Sequence, residues 1–149
     1  MEFETLMRTL TGAVCSENPE AVSDCFCEDG IYHDVFYGIF RGKENIRDLI
    51  KNYFYRDGCN FQWDIHDPIS KGVLGYCRYI FSFESRLEGA VGKRTVFEGV
   101  SVVQFDGQRL DVATSSPSAD LPTKKIPFFK SFTSVKHFSL SVDMAFVRI

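Results

Sequence analysis

Asp34 is the residue of this chain whose position best suits proton chemistry. It lies at the end of a short predicted strand, residues 31–35, which follows an acidic turn at residues 28–30. Alternation along a strand directs Tyr32 and Asp34 to the same side, and we expect that side to face the interior. A carboxylate there is costly unless it is paired, hydrogen-bonded or used in chemistry. Asp34 is therefore predicted either to move a proton next to a carbonyl group or to accept hydrogen bonds from the following turn.

Side chains on later predicted strands are expected to share a cavity with Asp34. The aromatic ones would give this cavity apolar walls, although such residues also serve simply to fill a core. Ser101 is a small polar group among apolar neighbours. Asp111, if it faces inward, would form a carboxylate pair with Asp34, and the two pKa values would be pushed apart. The candidate ligand-binding residues are Tyr32, Trp63, Tyr79, Phe81, Phe97, Ser101 and Asp111.

Histidine and cysteine contents argue against a metal centre. The three histidines are scattered without ligand spacing, which predicts no metal site. His33 and Asp34 are neighbours on a strand and point apart, so they do not form a dyad. The five cysteines are odd in number and are expected to be reduced structural thiols. The sequence therefore predicts no cofactor and no metal.

Length and charge restrict the function classes further. The 149 residues suffice for one domain with a single core, and the net charge of −3 without a basic cluster argues against nucleic-acid binding. No apolar run approaches the roughly 18 residues of a membrane span. The N-terminus is acidic and leads into an amphipathic helix, so we expect no signal peptide. These features predict a cytoplasmic protein that binds neither nucleic acid nor membrane.

Three helices are predicted in the first part of the chain. Apolar residues at helical spacing predict an amphipathic helix over residues 2–16. Asn18 and Pro19 are typical of a helix start and predict a short second helix through Phe26. A third helix is expected to end at Asp57-Gly58. Its predicted apolar face comprises Ile46, Leu49, Ile50, Tyr53 and Phe54.

The sequence pattern in the remainder of the chain predicts mainly strands. Alternating patterns predict strands at residues 61–65, 73–83 and 95–105, and a tight hairpin at Asp106-Gly107 leads into residues 110–114. A loop is predicted at residues 116–125, and an additional strand at 138–146. Helices followed by an antiparallel meander indicate an α+β domain. We expect a strongly curved antiparallel sheet that the N-terminal helices close into a cone with a pocket.

The order of elements and several motifs resemble the nuclear transport factor 2-like superfamily, most closely its SnoaL-like branch. The fold that this resemblance implies is a cystatin-like, cone-shaped barrel. The whole chain, residues 1–149, is expected to be a single domain, with residues 1–116 matching the family pattern and 117–149 adding a loop and a C-terminal segment. The matching motifs are Pro19-Glu20-Ala21-Val22, Glu28-Asp29-Gly30, His33-Asp34, Arg41-Gly42-Lys43-Glu44-Asn45-Ile46, Phe97-Glu98-Gly99-Val100 and Phe105-Asp106-Gly107-Gln108-Arg109-Leu110.

By this resemblance, the position of Asp34 corresponds to that of the general base in ketosteroid isomerase, an enzyme whose acid–base chemistry is well established. The two oxyanion donors of that enzyme fall at Leu10 and near Ser101, so the resemblance does not imply authentic steroid isomerase activity. The epoxide hydrolase relatives need an Arg two residues before an Asp, whereas Arg78 is followed by Tyr79 and Ile80. The polyketide cyclases use an acidic residue late in the sheet, where this chain offers Asp111.

Two function classes follow from these observations. The first is a cofactor-independent isomerase, cyclase or dehydratase of a small apolar carbonyl compound, with Asp34 as proton shuttle. The second is a non-catalytic module in which the same pocket binds a small ligand or is filled. A homodimer is expected through the outer face of the sheet. The apolar residues predicted on that face are Leu74, Tyr76, Ile80, Val96, Val100 and Val102.

Overall fold

A computed structural model describes residues 2–117 of the chain. Within this range, three helices precede or interrupt a six-stranded sheet, and a π-helical turn, Ile50–Phe54, and a final turn, Tyr55–Asp57, continue the third helix. The elements in chain order are α1 (Phe3–Cys15), α2 (Pro19–Asp24), β1 (Phe26–Asp34), β2 (Gly38–Arg41), α3 (Lys43–Leu49), β3 (Gly58–Lys71), β4 (Leu74–Ser85), β5 (Arg94–Phe105) and β6 (Leu110–Pro117).

The first two helices form where local sequence signals predict them. Helix α1 buries its apolar stripe of Phe3, Leu6, Met7, Leu10 and Val14, as the helical spacing requires. The Asn18 side chain caps α2 by accepting a hydrogen bond of 3.0 Å from the Ala21 N–H. Helix α2 ends at Asp24, earlier than predicted, because Phe26 already begins β1.

The segment between β1 and β3 differs from the prediction in two ways. Residues Gly38–Arg41, where the sequence predicts no strand, form strand β2 paired with β1. The predicted third helix is present as α3 followed by the π-helical turn and the final turn that ends at Asp57. In the π-helical turn the backbone hydrogen bonds span five residues instead of four. Such turns often occur near functional sites, and this one carries Phe54, which lines the cavity described below.

The sheet has the strand order β2-β1-β6-β5-β4-β3, and it is curved and unclosed. Neighbouring strands are antiparallel except for β1 and β6, which run parallel and pair Tyr32 with Ala113 and Asp34 with Ser115. The predicted α+β architecture with a curved sheet is thus confirmed, with one parallel pairing inside it. Because β6 inserts between β1 and β5, it brings the end of β1 next to the middle of the sheet.

Strand β1 begins earlier than predicted, and the acidic turn lies inside it. The register of β1 against β6 shifts between Phe26 and Ile31. A Cβ atom at Gly30 would lie 3.0 Å from the Cys27 carbonyl oxygen and 3.1 Å from that of Leu110. A glycine at position 30 therefore allows the two backbones to approach at this irregularity.

The core lies between the inner face of the sheet and the helices. Gly75 on β4 leaves room for the buried Phe3 ring of α1, because a Cβ there would lie 2.3 Å from that ring. Among residues 2–117, no helix is long and apolar enough to cross a bilayer. The predicted strand at 138–146 and the end of the predicted loop at 116–125 lie outside the described residues; residues 116 and 117 belong to β6.

Candidate functional site

A cavity of about 60 Å³ lies between the inner face of the sheet and the segment that follows β1. One ordered water needs about 10–15 Å³ on this measure, so the cavity has room for a few waters or a small organic molecule. Its walls are mostly aromatic, and its charged lining residues are Asp34 and Asp57. Six of the eight predicted site residues line it: Tyr32, Asp34, Trp63, Tyr79, Phe81 and Phe97.

Asp34 occupies the end of β1, where the chain turns away from the sheet. One of its oxygens, Oδ1, accepts hydrogen bonds from the backbone N–H groups of Phe36 at 2.8 Å and Tyr37 at 2.9 Å. The predicted turn-capping role is therefore present. The side chain also lines the cavity, so it caps the turn and faces the interior at the same time.

Burial raises the pKa of the Asp34 carboxyl to about 6, and the two backbone N–H groups limit that rise. The carboxylate is the major form at pH 7, and the acid form is accessible close to neutrality. Within residues 2–117, both hydrogen bonds to this carboxyl go to Oδ1. Oδ2 is therefore the oxygen best placed to exchange a proton with a bound molecule.

Tyr32 shares the inner side of β1 with Asp34, as strand alternation predicts. It is fully buried and lies within hydrogen-bonding reach of Ser115. Burial, together with the nearby Asp34 charge, raises its pKa well above the usual value of a tyrosine. Tyr79 behaves in the same way, since burial and the Asp34 charge raise its pKa. Both hydroxyls therefore stay protonated and can act as hydrogen-bond donors.

The aromatic wall consists of rings from three adjacent strands. The Trp63 ring meets Tyr79 at a centroid distance of 5.6 Å and Phe81 at 5.2 Å, both edge-on. Phe97 on β5 lies 5.4 Å from Phe81. The indole Nε1–H of Trp63 is buried and has no hydrogen-bond acceptor among the described residues. This wall is thus apolar with one unpaired donor.

The predictions that Ser101 and Asp111 line the cavity are wrong. Ser101 is fully buried behind the lining, where its Oγ lies 3.0 Å from the Oγ of Ser115. Asp111 is skipped in the pairing of β5 with β6, because Phe105 pairs with Leu110 and Gln104 with Val112. This bulge breaks the alternation on which the prediction depended.

The side chain of Asp111 lies instead near the Cys27 thiol, where it contributes to raising the pKa of that thiol to about 12, mainly an effect of burial. Asp111 is partly exposed and is absent from the cavity lining. The predicted pair of Asp34 and Asp111 is therefore not formed.

The sequence-based reasoning missed a second carboxylate, Asp57, together with Tyr37. The Tyr37 hydroxyl donates to Asp57 Oδ2 at 2.7 Å, and Arg56 donates to both oxygens of the same group. Burial opposes ionisation of Asp57, but these hydrogen bonds outweigh it and hold its pKa below the usual value. The sequence pattern at Asp57-Gly58 predicts only a helix end. The signal that points to a site is an acidic residue at the helix end, in the turn after the aromatic residues Tyr53 and Phe54.

Within the described part of the chain, His, Cys, Asp and Glu side chains form no cluster of three or more suited to a metal ion. All five cysteines are free thiols. The polar side chains that line the cavity carry carboxylates and hydroxyls, which can transfer protons or orient an uncharged polar group.

The fold and the cavity together define a SnoaL-like domain. A family model of this domain matches residues 7–111, and the chain belongs to that family. The predicted resemblance is therefore confirmed. No curated protein matches the chain in sequence.

Solved structures show the same fold at low sequence identity. A Catenulispora acidiphila protein with a ketosteroid isomerase-like fold, in complex with trimethylamine, superposes with a TM-score of 0.70 at 16% identity, covering 85% of this chain and 100% of that one. A proposed SnoaL-like polyketide cyclase from Shewanella putrefaciens gives 0.66 at 16%, covering 78% and 90%. An LEH-like epoxide hydrolase from M. tuberculosis gives 0.63 at 17%, covering 76% of each chain. At these identities the likeness shows the fold alone.

Proposed function

We propose that this SnoaL-like protein is a cofactor-independent enzyme that moves a proton on a small apolar carbonyl compound, with Asp34 as the proton shuttle. The observation that carries the proposal is the position of Asp34: its carboxyl, with a pKa of about 6, lies in a cavity with aromatic walls. A base with a pKa near the working pH combines a useful ionised fraction with sufficient basicity. Isomerisation, cyclisation and dehydration all begin with such a proton transfer.

The proposed step begins when ionised Asp34 removes a proton from the carbon next to the carbonyl group. The C–H bond breaks, an O–H bond forms on the carboxyl, and the electron pair moves to the carbonyl oxygen to give an enolate. Asp34 then returns the proton to a different carbon, or to a leaving hydroxyl group. The backbone hydrogen bonds to Oδ1 hold the carboxyl in place throughout.

The test is deuterium exchange at the α-carbon of cyclohexanone and 2-cyclohexen-1-one in D₂O, followed by proton NMR with wild-type protein and Asp34→Asn. The asparagine can still accept the hydrogen bonds from the Phe36 and Tyr37 N–H groups at its Oδ1. The substitution therefore preserves the turn after β1 and removes only the carboxylate base. We expect the variant to lose about 100-fold or more of the protein-catalysed exchange. The wild-type rate should rise with pH and level off above the pKa of about 6. Equal exchange by both proteins would refute the proposal.

Non-catalytic binding of a small ligand is the second candidate, and one observation favours it. A carboxylate among aromatic faces is a good environment for an alkylammonium cation. The Catenulispora acidiphila neighbour is itself in complex with trimethylamine. Calorimetric titration with trimethylammonium and with neutral tert-butanol distinguishes the two candidates. Selective binding of the cation that Asp34→Asn abolishes, without any deuterium exchange, would support the binding module.

We also propose that the protein is a homodimer through the outer face of the sheet. The residues predicted on this face include Tyr76, Ile80, Val96 and Val100, each of which is exposed in the single chain. Adjacent strands β4 and β5 carry these side chains on one surface, and an apolar surface of this kind usually meets a partner. The cytoplasmic location remains a prediction.

A further inference from the structure

A row of four buried side chains that carry polar atoms or sulfur crosses the inner face of the sheet. Its members pair directly across neighbouring strands: Asp34 on β1 with Ser115 on β6, Ser115 with Ser101 on β5, and Ser101 with Cys77 on β4. Asp34 and Ser115 line the cavity, whereas Ser101 and Cys77 do not. Ser115 keeps 9% of its surface exposed, against 1% for Ser101. The row therefore meets the cavity at the end formed by Asp34 and Ser115.

Ser115 is the centre of a small network of hydroxyl groups. Its Oγ lies 3.0 Å from the Oγ of Ser101, and the Tyr32 hydroxyl is also within hydrogen-bonding reach. A hydroxyl group donates one hydrogen bond and can accept two. The three hydroxyls therefore supply three donors, of which their two mutual contacts use two. One O–H is left for an acceptor outside the network.

The neighbours of the network indicate where this remaining O–H points when an acceptor occupies the cavity. Cys77 lies beside Ser101, but its sulfur is only a weak acceptor. Among residues 2–117, the Asp34 carboxyl accepts hydrogen bonds from backbone N–H groups and none from Ser115. Hydroxyl hydrogens rotate to suit their partners, so Tyr32 and Ser101 can both donate to Ser115 while Ser115 donates into the cavity. In that arrangement the two incoming hydrogen bonds strengthen the outgoing one.

The charges of the cavity restrict the kind of oxygen that Ser115 can meet. Asp34 and Asp57 both line the cavity, whereas no Lys or Arg among the described residues does. A carboxylate or phosphate ligand would meet like charge in a desolvated space, which is unfavourable. The acceptor therefore belongs to an uncharged group, and the aromatic walls favour an apolar remainder.

We propose that the Ser115 hydroxyl binds the oxygen of a small, neutral carbonyl compound in the cavity, with Tyr32 and Ser101 orienting it. This inference rests on the proposed function, because it names the group that holds the carbonyl oxygen while Asp34 acts on the adjacent carbon. Directly paired residues on neighbouring strands lie about 5 Å apart, so one small ligand can contact both Asp34 and Ser115. Of the two positions where the resemblance implies oxyanion donors, Leu10 is apolar, and Ser101 reaches the cavity only through Ser115.

The first measurement uses full-length wild-type protein and carbon-13 NMR. Cyclohexanone labelled at its carbonyl carbon is titrated with the protein. The control probe is methylenecyclohexane labelled at the same ring carbon, in which a CH₂ group replaces the oxygen. A hydrogen bond to the oxygen moves the carbonyl signal downfield, whereas the hydrocarbon reports only the shielding by nearby rings. We expect bound cyclohexanone to be shifted downfield of its value in hexane, without a matching shift of the hydrocarbon.

The second measurement compares Ser115→Ala with Ser101→Ala. Both substitutions remove the same hydrogen bond between the two serines, but only the first removes a hydroxyl that lines the cavity. We expect Ser115→Ala to lower the affinity for cyclohexanone about threefold to tenfold, to leave methylenecyclohexane nearly unaffected and to cancel the downfield shift. Its deuterium exchange should slow by about 100-fold, because the enolate oxygen loses its donor. Ser101→Ala should keep the shift and lose less than about threefold in affinity.

Three results would overturn the inference. The first is a wild-type protein that binds neither probe or gives no ketone-specific shift. The second is a Ser115→Ala protein that keeps the shift, because another group would then hold the oxygen. The third is an equal loss of affinity in both alanine variants, which would mean that the bond between the serines only supports the structure. Because the first measurement needs no variant, the inference stays testable even if Ser115→Ala impairs folding.

The two proposals fail in distinguishable ways. A ketone-specific shift that depends on Ser115, without deuterium exchange, would contradict the proton-transfer function and keep the recognition role of Ser115. Exchange that depends on Asp34 but is equally fast in Ser115→Ala would do the opposite.

Discussion

The Tyr37 hydroxyl donates a hydrogen bond of 2.7 Å to Oδ2 of Asp57, which connects the turn after β1 to the end of the third helix. The backbone N–H of the same tyrosine donates to Asp34 Oδ1 at 2.9 Å. One residue therefore contacts both carboxyl groups of the cavity. Because Asp34 depends on this turn for its orientation, the Tyr37–Asp57 hydrogen bond positions the proposed proton shuttle indirectly.

Tyr37→Phe is expected to lower the free energy of unfolding by about 1–2 kcal/mol, because Asp57 loses a hydrogen bond while it stays buried. The same change should raise the pKa of Asp57, since the Tyr37 hydroxyl helps to hold it low. Urea denaturation measures the first effect, and carboxyl ¹³C NMR the second.

Tyr53→Phe is the matched control for this experiment. Tyr53 packs against the Tyr37 ring at a centroid distance of 5.4 Å, and its hydroxyl makes no hydrogen bond within residues 2–117. We expect a change within about 0.5 kcal/mol. Equal effects of both substitutions would show that removing a hydroxyl from this aromatic cluster, and not the loss of the hydrogen bond to Asp57 in particular, accounts for the change.

The pH dependence of the free energy of unfolding should reveal the raised pKa of the Asp34 carboxyl. Its pKa is about 6 in the folded protein, above the usual 3.8, so the folded state binds more protons than the unfolded state between these values. Stability should therefore fall as the pH rises from about 4 to 7, by about 3 kcal/mol from this group alone.

Asp34→Asn removes this contribution, so its free energy of unfolding relative to wild type should increase over the same pH interval. Taking the difference between the two proteins cancels the titration of other groups. Chemical denaturation at several pH values gives this difference. A difference that stays constant with pH would mean that the Asp34 pKa is not raised.

Gly75→Ala tests the close contact between α1 and the sheet. The new methyl group would overlap the buried Phe3 ring, so we expect a loss of about 1–3 kcal/mol in the free energy of unfolding. Gly12→Ala is the control within α1, because a Cβ there meets no atom within 4 Å. That substitution should stabilise the protein by about 0.5–1 kcal/mol through helix propensity. Thermal denaturation of both variants should show shifts of opposite sign.

Val100→Asp tests the proposed dimer, because it places a charge in the exposed apolar face of β5. We expect light scattering to give the mass of one chain for this variant and of two chains for wild type. Val91→Asp, at an exposed turn position between β4 and β5, should leave the mass unchanged. A wild-type mass of one chain would contradict the proposed interface.

Periodicity and turn chemistry in the sequence determined the helices and most of the strands. The apolar stripe of α1 and the Asn18 cap of α2 are local signals, and the structure follows them. Strand alternation likewise placed Tyr32 and Asp34 on the inner side of β1, together in the cavity. Such predictions succeed because they depend only on the repeat of a single element.

The tertiary structure alone decided the features that depend on pairing between distant strands. A bulge at Asp111 breaks the alternation of β6 and moves this carboxylate away from Asp34, and local sequence does not specify where such a bulge falls. Asp57 reaches the cavity because the chain folds its helix end against the turn at Tyr37. The unpaired indole of Trp63 is also a tertiary property, since hydrogen-bond satisfaction depends on every neighbour that the fold assembles.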